Sequence, residues 1–192
     1  MDRTGYEYKF IQEIVEEVSR KISREPLYVT EYPVGLESQV LKAKSLMDGS
    51  HDAVQMIGIH GIGGIGKTTL AKEIYNQIGH QFDELCFLPN VREICLTKRG
   101  LEHLQEQLLH KIVRKEIMLQ DFSEGIPIIK KRLQGKKVLL ILDDVDQPKQ
   151  LKALAGGLDW FHSGSKVIVT TRDTHLLASH GIKIRYEVNE LN

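Results

Sequence analysis

Residues 54–69 read Val54-Gln55-Met56-Ile57-Gly58-Ile59-His60-Gly61-Ile62-Gly63-Gly64-Ile65-Gly66-Lys67-Thr68-Thr69. The run Val54–His60 is short and apolar and predicts a strand. Leu70, Ile74 and Ile78 follow at helical spacing. Between strand and helix, Gly61 to Thr68 fit the pattern G-x-x-x-x-G-K-[ST], in the strand–loop–helix setting that gives the pattern its meaning. The chemistry asks for these residue types. Backbone N–H groups must turn inward around phosphate oxygens, and Gly61, Gly63, Gly64 and Gly66 tolerate the positive φ angles this needs. The helix that opens near Lys67 aims its positive end at the anion. Lys67 is expected to bridge the terminal phosphates as a point charge, Thr68 to place its hydroxyl on Mg²⁺, and Thr69 to reach the first phosphate.

Further apolar runs appear outward from this stretch, at Leu85–Leu88, Val138–Leu142, Lys166–Thr170 and, more weakly, Ile184–Val188. They alternate with helical patterns such as Leu101, Leu104, Leu108, Ile112 and Val113. Strands that lack polar alternation are buried on both faces, and strand–helix alternation predicts an α/β doubly wound sheet. Val138–Leu142 ends in Asp143-Asp144, and a carboxylate there is costly unless it meets a metal, water or a partner. Asp143 is expected to hold Mg²⁺ and Asp144 to orient or deprotonate an attacking water. Because neighbouring strand residues face opposite ways, the two should differ in role. A solvated turn ahead of a helix opened by Asp146 and Pro148 is the plainer alternative. Lys166–Thr170 runs into Thr171-Arg172-Asp173, where Arg172 could report a terminal phosphate. A surface ion pair beside a helix capped by Asp173 or Thr174 would explain it equally.

Composition narrows the field. The chain has 192 residues, with 26 Lys+Arg against 26 Asp+Glu, so it lacks the basic excess of a dedicated nucleic-acid binder. No run approaches the ~18 apolar residues of a membrane span. Cys86 and Cys95 form no CxxC pair, which favours a reducing, cytoplasmic setting, with the nucleus as the alternative. Cys86 is expected in the core, His60 to pack beside the loop or lie at the surface, with nucleotide contact as the alternative, and Lys130, Lys131, Arg132, Lys136 and Lys137 to form a solvated basic helix end, with nucleic-acid contact as the alternative. Residues 7–23 predict an amphipathic helix whose apolar side (Phe10, Ile11, Ile14, Val15, Val18, Ile22) is expected to pack on its own domain. Arg24–Pro33, with two prolines, reads as an extended linker, and the start at residue 1 looks arbitrary.

The blocks Val34-Gly35-Leu36-Glu37, Gly61–Thr69, Lys137–Val145 and Gly164–Asp173 together resemble the nucleotide-binding (NB-ARC) module of plant disease-resistance proteins of the nucleotide-binding, leucine-rich-repeat type. Phe87–Glu93 with Gly100-Leu101 and Leu104-Gln105 resembles the branch that carries a Toll/interleukin-1-receptor-like domain. The resemblance implies a P-loop NTPase fold, with a mostly parallel five-stranded sheet in which the Arg172 strand lies between the loop strand and the Asp143 strand. It implies an ADP/ATP switch, a sensor role for Arg172, and backbone contact of Val34 and Gly35 with the adenine. It further implies a division into a linker helix (1–25) and a nucleotide-binding domain (26–192) that stops before the helical subdomains, with other domains of a longer receptor or related receptors as partners. On this reading hydrolysis by the chain is slow or absent. A turnover enzyme of the same fold class (ATPase or kinase) and an inert interaction fragment remain the competing functions. A partitioning-type ATPase is disfavoured, because its extra lysine would fall at Ile62.

Overall fold

In the computed structural model, which describes residues 3–22, 24–29, 35–47 and 52–189, five strands form one sheet. They are β1 (Gln55–His60), β2 (Glu84–Leu88), β3 (Val138–Val145), β4 (Lys166–Thr171) and β5 (Ile184–Glu187). Their order is β2-β3-β4-β1-β5, and every neighbouring pair is parallel. The expected five-stranded sheet is therefore all-parallel, and the Arg172 strand does lie between the other two. Because all strands run one way, their C-terminal ends share one edge, where ligands of open α/β sheets bind.

The helices cover both faces. On one side α5 (Gly100–Val113), α6 (Phe122–Leu133) and α7 (Pro148–Leu154) bury Leu104, Leu108, Ile129, Leu133 and Leu151 against Val138, Leu140, Leu142, Val167 and Val169. On the other, α2 (Leu36–Ser45) and α3 (Lys67–Ile78) bury Val40, Leu70 and Ile74 against Ile57, Ile59, Leu139, Ile141 and Ile168. This two-sided cover explains the unbroken apolar run of β3. Each such side chain contributes roughly 1.5–3 kcal/mol of burial free energy. Cys86 is in the core as expected, and burial pushes its thiol up to about 12.

Helix α2 went unforeseen, although Leu36, Val40, Ala43 and Met47 are all buried and carry helical spacing. Two short helices complete the set beside the strand ends: α4 (Val91–Ile94) and α8 (Thr174–Ser179). The basic stretch has specific partners. Lys136 and Arg114 converge on the buried Glu84 at 2.7 and 2.8 Å, and Lys130 pairs with Asp159.

The N-terminal helix α1 (Arg3–Ile22) corrects one expectation. Phe10, Ile11, Ile14, Val15 and Val18 are 46% to 61% exposed, so this apolar side is not packed on its own domain. Residues 24–29, the described part of the segment read as a linker, are bolted down. The Arg24 guanidinium donates to the carbonyls of Gly79, Phe82 and Asp83 at 3.1, 3.0 and 2.5 Å. The backbone of Leu27 exchanges two hydrogen bonds with the Asn76 side chain, at 2.8 and 2.9 Å. Residues 24–29 are thereby fixed to the end of α3 remote from the glycine loop. Arg24→Ala should therefore speed amide exchange at residues 24–29 and lower stability by about 1–2 kcal/mol, because charged hydrogen bonds to carbonyls are lost. Unchanged exchange in that segment would contradict the clamp.

Candidate functional site

The loop between β1 and α3 takes the shape its glycines permit. Gly64 and Gly66 have φ of 78° and 99°, the left-handed region closed to most side chains. Gly61 faces the Val188 carbonyl, and Gly63 lies under the Arg172 guanidinium, where a Cβ would stand 3.2 Å from its central carbon. Lys67 is buried, and its Nζ donates to the carbonyls of Gly61 and Ile62 at 2.9 and 2.6 Å. Desolvation, and next the charge of Arg172, hold its pKa below the usual lysine range, partly offset by Asp144 and Asp143.

Thr68, next on α3, donates to both oxygens of Asp143, at 2.9 and 3.1 Å. Asp143 is 1% exposed and also accepts from Thr170 at 2.7 Å. A buried carboxylate flanked by hydroxyls is a hard oxygen set. Among the described residues, no group of three or more His, Cys, Asp and Glu stands ready to hold a metal. One carboxylate and one hydroxyl suit Mg²⁺, which keeps several waters and is usually completed by substrate phosphates.

Asp144 is placed by a feature invisible in the sequence. Leu142 pairs with Val169 and Val145 with Thr171, so β3 carries one extra residue there. This is a bulge, and Asp144 takes φ 55° within it. Its N–H donates to Thr170 Oγ1 at 2.8 Å. Its carboxylate meets Arg92 Nε at 2.9 Å and Arg172 Nε at 3.7 Å. The two aspartates have different neighbours, and a bulge, not the simple alternation expected along a strand, separates them. Asp173 caps α8 by accepting from the His175 N–H at 2.8 Å, which leaves Arg172 out of the cap and directed at the loop.

A cavity of about 380 Å³ joins Gly64, Gly66, Lys67, Thr68, Thr69, Asp144 and Arg172. The same cavity adds Asn90, Arg92, Glu93 and Thr170, which the sequence reading did not single out for the site. Thr170 had a signal, as a hydroxyl near the end of an apolar strand two residues before Arg172. Arg92 reaches the site only because β2 lies beside β3. A second cavity, about 330 Å³, lies on the β5 side of the loop and is lined by His60, Gly61, Ile62, Ile65, Arg172 and Val188 among others. His60 is half-buried there, beside the loop. Gly35 precedes α2 with φ 69° and lines neither cavity, while Val34 lies outside the described residues.

Comparison with known proteins follows the same lines. A family model described as NB-ARC domain matches residues 37–191. TMV resistance protein N of Nicotiana glutinosa is 38% identical over 188 residues, which make up 94% of this chain and 16% of that protein. Disease resistance protein RML1A of Arabidopsis thaliana is 41% identical over 188 residues, 95% of this chain and 18% of the relative. Disease resistance protein RUN1 of Vitis rotundifolia is 38% identical over 190 residues, 98% and 14% respectively. The chain thus spans less than a fifth of the length of these relatives. Among solved structures, Cdc6p from Pyrobaculum aerophilum superposes with a TM-score of 0.63 at 14% identity, over 85% of this chain and 48% of that one, a likeness of fold alone.

Proposed function

The chain belongs to the NB-ARC domain family, and on that premise we propose that it is the ADP/ATP-binding switch module of an intracellular plant immune receptor, working with Mg²⁺ and hydrolysing ATP slowly if at all. The observation that carries this reading is the convergence of three things at one sheet edge. They are a glycine loop at the N-terminus of α3, a buried lysine bonded among the described residues to that loop's own carbonyls, and a buried Asp143 under the Thr68 hydroxyl. Phosphates can replace the carbonyls as partners of Lys67. Mg²⁺ would be held by Thr68 and Asp143, where it would offset phosphate charge. Gly61, Gly63, Gly64, Gly66 and Thr69 line the phosphate path, Arg172 senses the far end, and Asp144 orients water. Val34 and Gly35 remain assigned to the adenine by family resemblance.

We assign residues 1–25 to a linker helix and 26–192 to the nucleotide-binding domain, with other domains of a longer receptor as partners. The exposed face of α1 and a family match beginning at residue 37 support this division. Among the described residues, no helix is long and apolar enough to cross a membrane. The site is open, since the Arg172 side chain is 53% exposed, and charges facing water stabilise a transition state weakly. Turnover is therefore expected far below the ~10 s⁻¹ of a median enzyme. Denaturing the purified protein and separating the released small molecules by chromatography should yield ADP. A protein that carries no nucleotide and binds none when it is added would overturn the switch reading. Sustained turnover of ATP at an ordinary enzymatic rate would favour an ATPase instead.

A further inference from the structure

Asp144 raises a problem for any nucleotide in this site. Its carboxylate lines the same cavity as Lys67, Thr68 and Arg172. An anion seated beyond Lys67 in that cavity shares it with a fixed negative charge, and like charges in a partly desolvated space repel strongly. The left-handed backbone of Asp144 and its N–H bond to Thr170 set the side chain there. Arg172, the sensor of the nucleotide reading, sits only 3.7 Å from this carboxylate and is also the cation that a terminal phosphate would draw away.

Arg92 is the group that can stay. It stands on α4, which follows Asn90 at φ 50° and is anchored by the fully buried Val91. Its Nε meets Asp144 Oδ2 at 2.9 Å, the shorter of the two ion pairs, with side-chain exposures of 40% for Arg92 and 22% for Asp144. Arg92 comes from a different strand end than the loop, the Asp143 strand or the Arg172 strand, so it can hold Asp144 independently of what Arg172 does. We propose that Arg92 is a specificity-determining residue. By neutralising Asp144 it lets a triphosphate enter a cavity that a bare carboxylate would reserve for the diphosphate. The inference rests on the nucleotide reading above and adds to it the origin of the balance between the two nucleotides.

The test is calorimetry with Mg²⁺-ADP and with a non-hydrolysable Mg²⁺-ATP analogue. The proteins are the unaltered chain, Arg92→Gln, Arg92→Lys, Asp144→Asn and the double variant Arg92→Gln/Asp144→Asn. Arg92→Gln should weaken the triphosphate analogue by about tenfold and ADP by about twofold or less, as expected for one unscreened charge near the terminal phosphate only. Arg92→Lys, which keeps the charge, should retain most of the triphosphate affinity. The double variant should recover triphosphate affinity, because no carboxylate is left to neutralise. That recovery separates screening from structural support or direct phosphate contact, neither of which Asp144→Asn would repair. Equal weakening of both nucleotides by Arg92→Gln, no weakening of either, or no recovery in the double variant would each overturn the proposal. Failure of the unaltered chain to bind either nucleotide would overturn the nucleotide reading itself, and the proposal with it. If Arg92→Gln fails to fold, a tenfold selective loss of triphosphate affinity in the charge-keeping Arg92→Lys would still overturn it.

Discussion

Lys67→Ala is expected to lower nucleotide affinity by at least about tenfold while leaving the sheet folded, since a charge-assisted hydrogen bond contributes roughly 1.5–3 kcal/mol. The side chain is buried at the mouth of α3 and, among the described residues, has only the carbonyls of Gly61 and Ile62 as hydrogen-bond partners. Those are neutral acceptors for a cation that burial and the neighbouring Arg172 already disfavour. A phosphate would supply the missing negative charge, so the energetic gain on binding is concentrated at this one group. Folding does not depend on it. Alanine removes a desolvated charge and leaves the loop's backbone donors in place, so the melting temperature should hold or rise. Calorimetry in Mg²⁺ buffer checks the first point, and unchanged affinity would remove Lys67 from the site. The lowered pKa adds a sign. The phosphate contact needs the protonated amine, and free Lys67 loses its proton below the ordinary value of 10.5. Binding is therefore linked to proton uptake on the alkaline side, and affinity should fall as pH rises from neutral toward that value.

Which parts of this site can be read from sequence follows from how each residue is positioned. The glycine loop, Lys67 and Thr68 are local, because one strand, one turn and one helix place them and their spacing is visible in nine residues. The strands were legible for a related reason. Two-sided cover makes Val138–Leu142 and the Val167–Val169 centre of β4 uniformly apolar, and the structure extends the two strands to Val145 and Thr171. Asp144 was legible as a candidate but not in its placement, since a bulge depends on the register between β3 and β4 and has no pattern within β3 alone. Arg92 was the least legible. Nothing within Asn90–Glu93 says that β2 lies beside β3, and only that adjacency carries the guanidinium to Asp144. The exposed face of α1 failed in the opposite direction. Periodicity shows that an apolar stripe exists, but burial of the stripe needs a partner surface, which the spacing within one helix does not supply.

Asp143 and Asp144 should separate sharply on substitution, because their neighbours differ in kind. Asp143 is 1% exposed and accepts from two hydroxyls, Thr68 and Thr170. Asp143→Ala leaves both hydroxyls without their acceptor, that of Thr170 in a buried setting and that of Thr68 in a half-buried one, an expected cost of about 1–3 kcal/mol in stability. It also removes the carboxylate that accepts from Thr68, so Mg²⁺ should no longer strengthen nucleotide binding. Asp144 has arginines for partners and keeps contact with solvent, so Asp144→Ala strands no buried hydroxyl. Stability should change little, nucleotide binding should persist with its Mg²⁺ dependence intact, and any hydrolysis in a single-turnover assay should slow if Asp144 orients water as proposed. Thermal melts of the two variants, with nucleotide titrations with and without Mg²⁺, distinguish them directly. If Asp143→Ala kept full stability and a normal response to Mg²⁺, the metal would have to be held elsewhere, and the hydrogen bonds joining Thr68, Asp143 and Thr170 would be a structural tie between α3, β3 and β4.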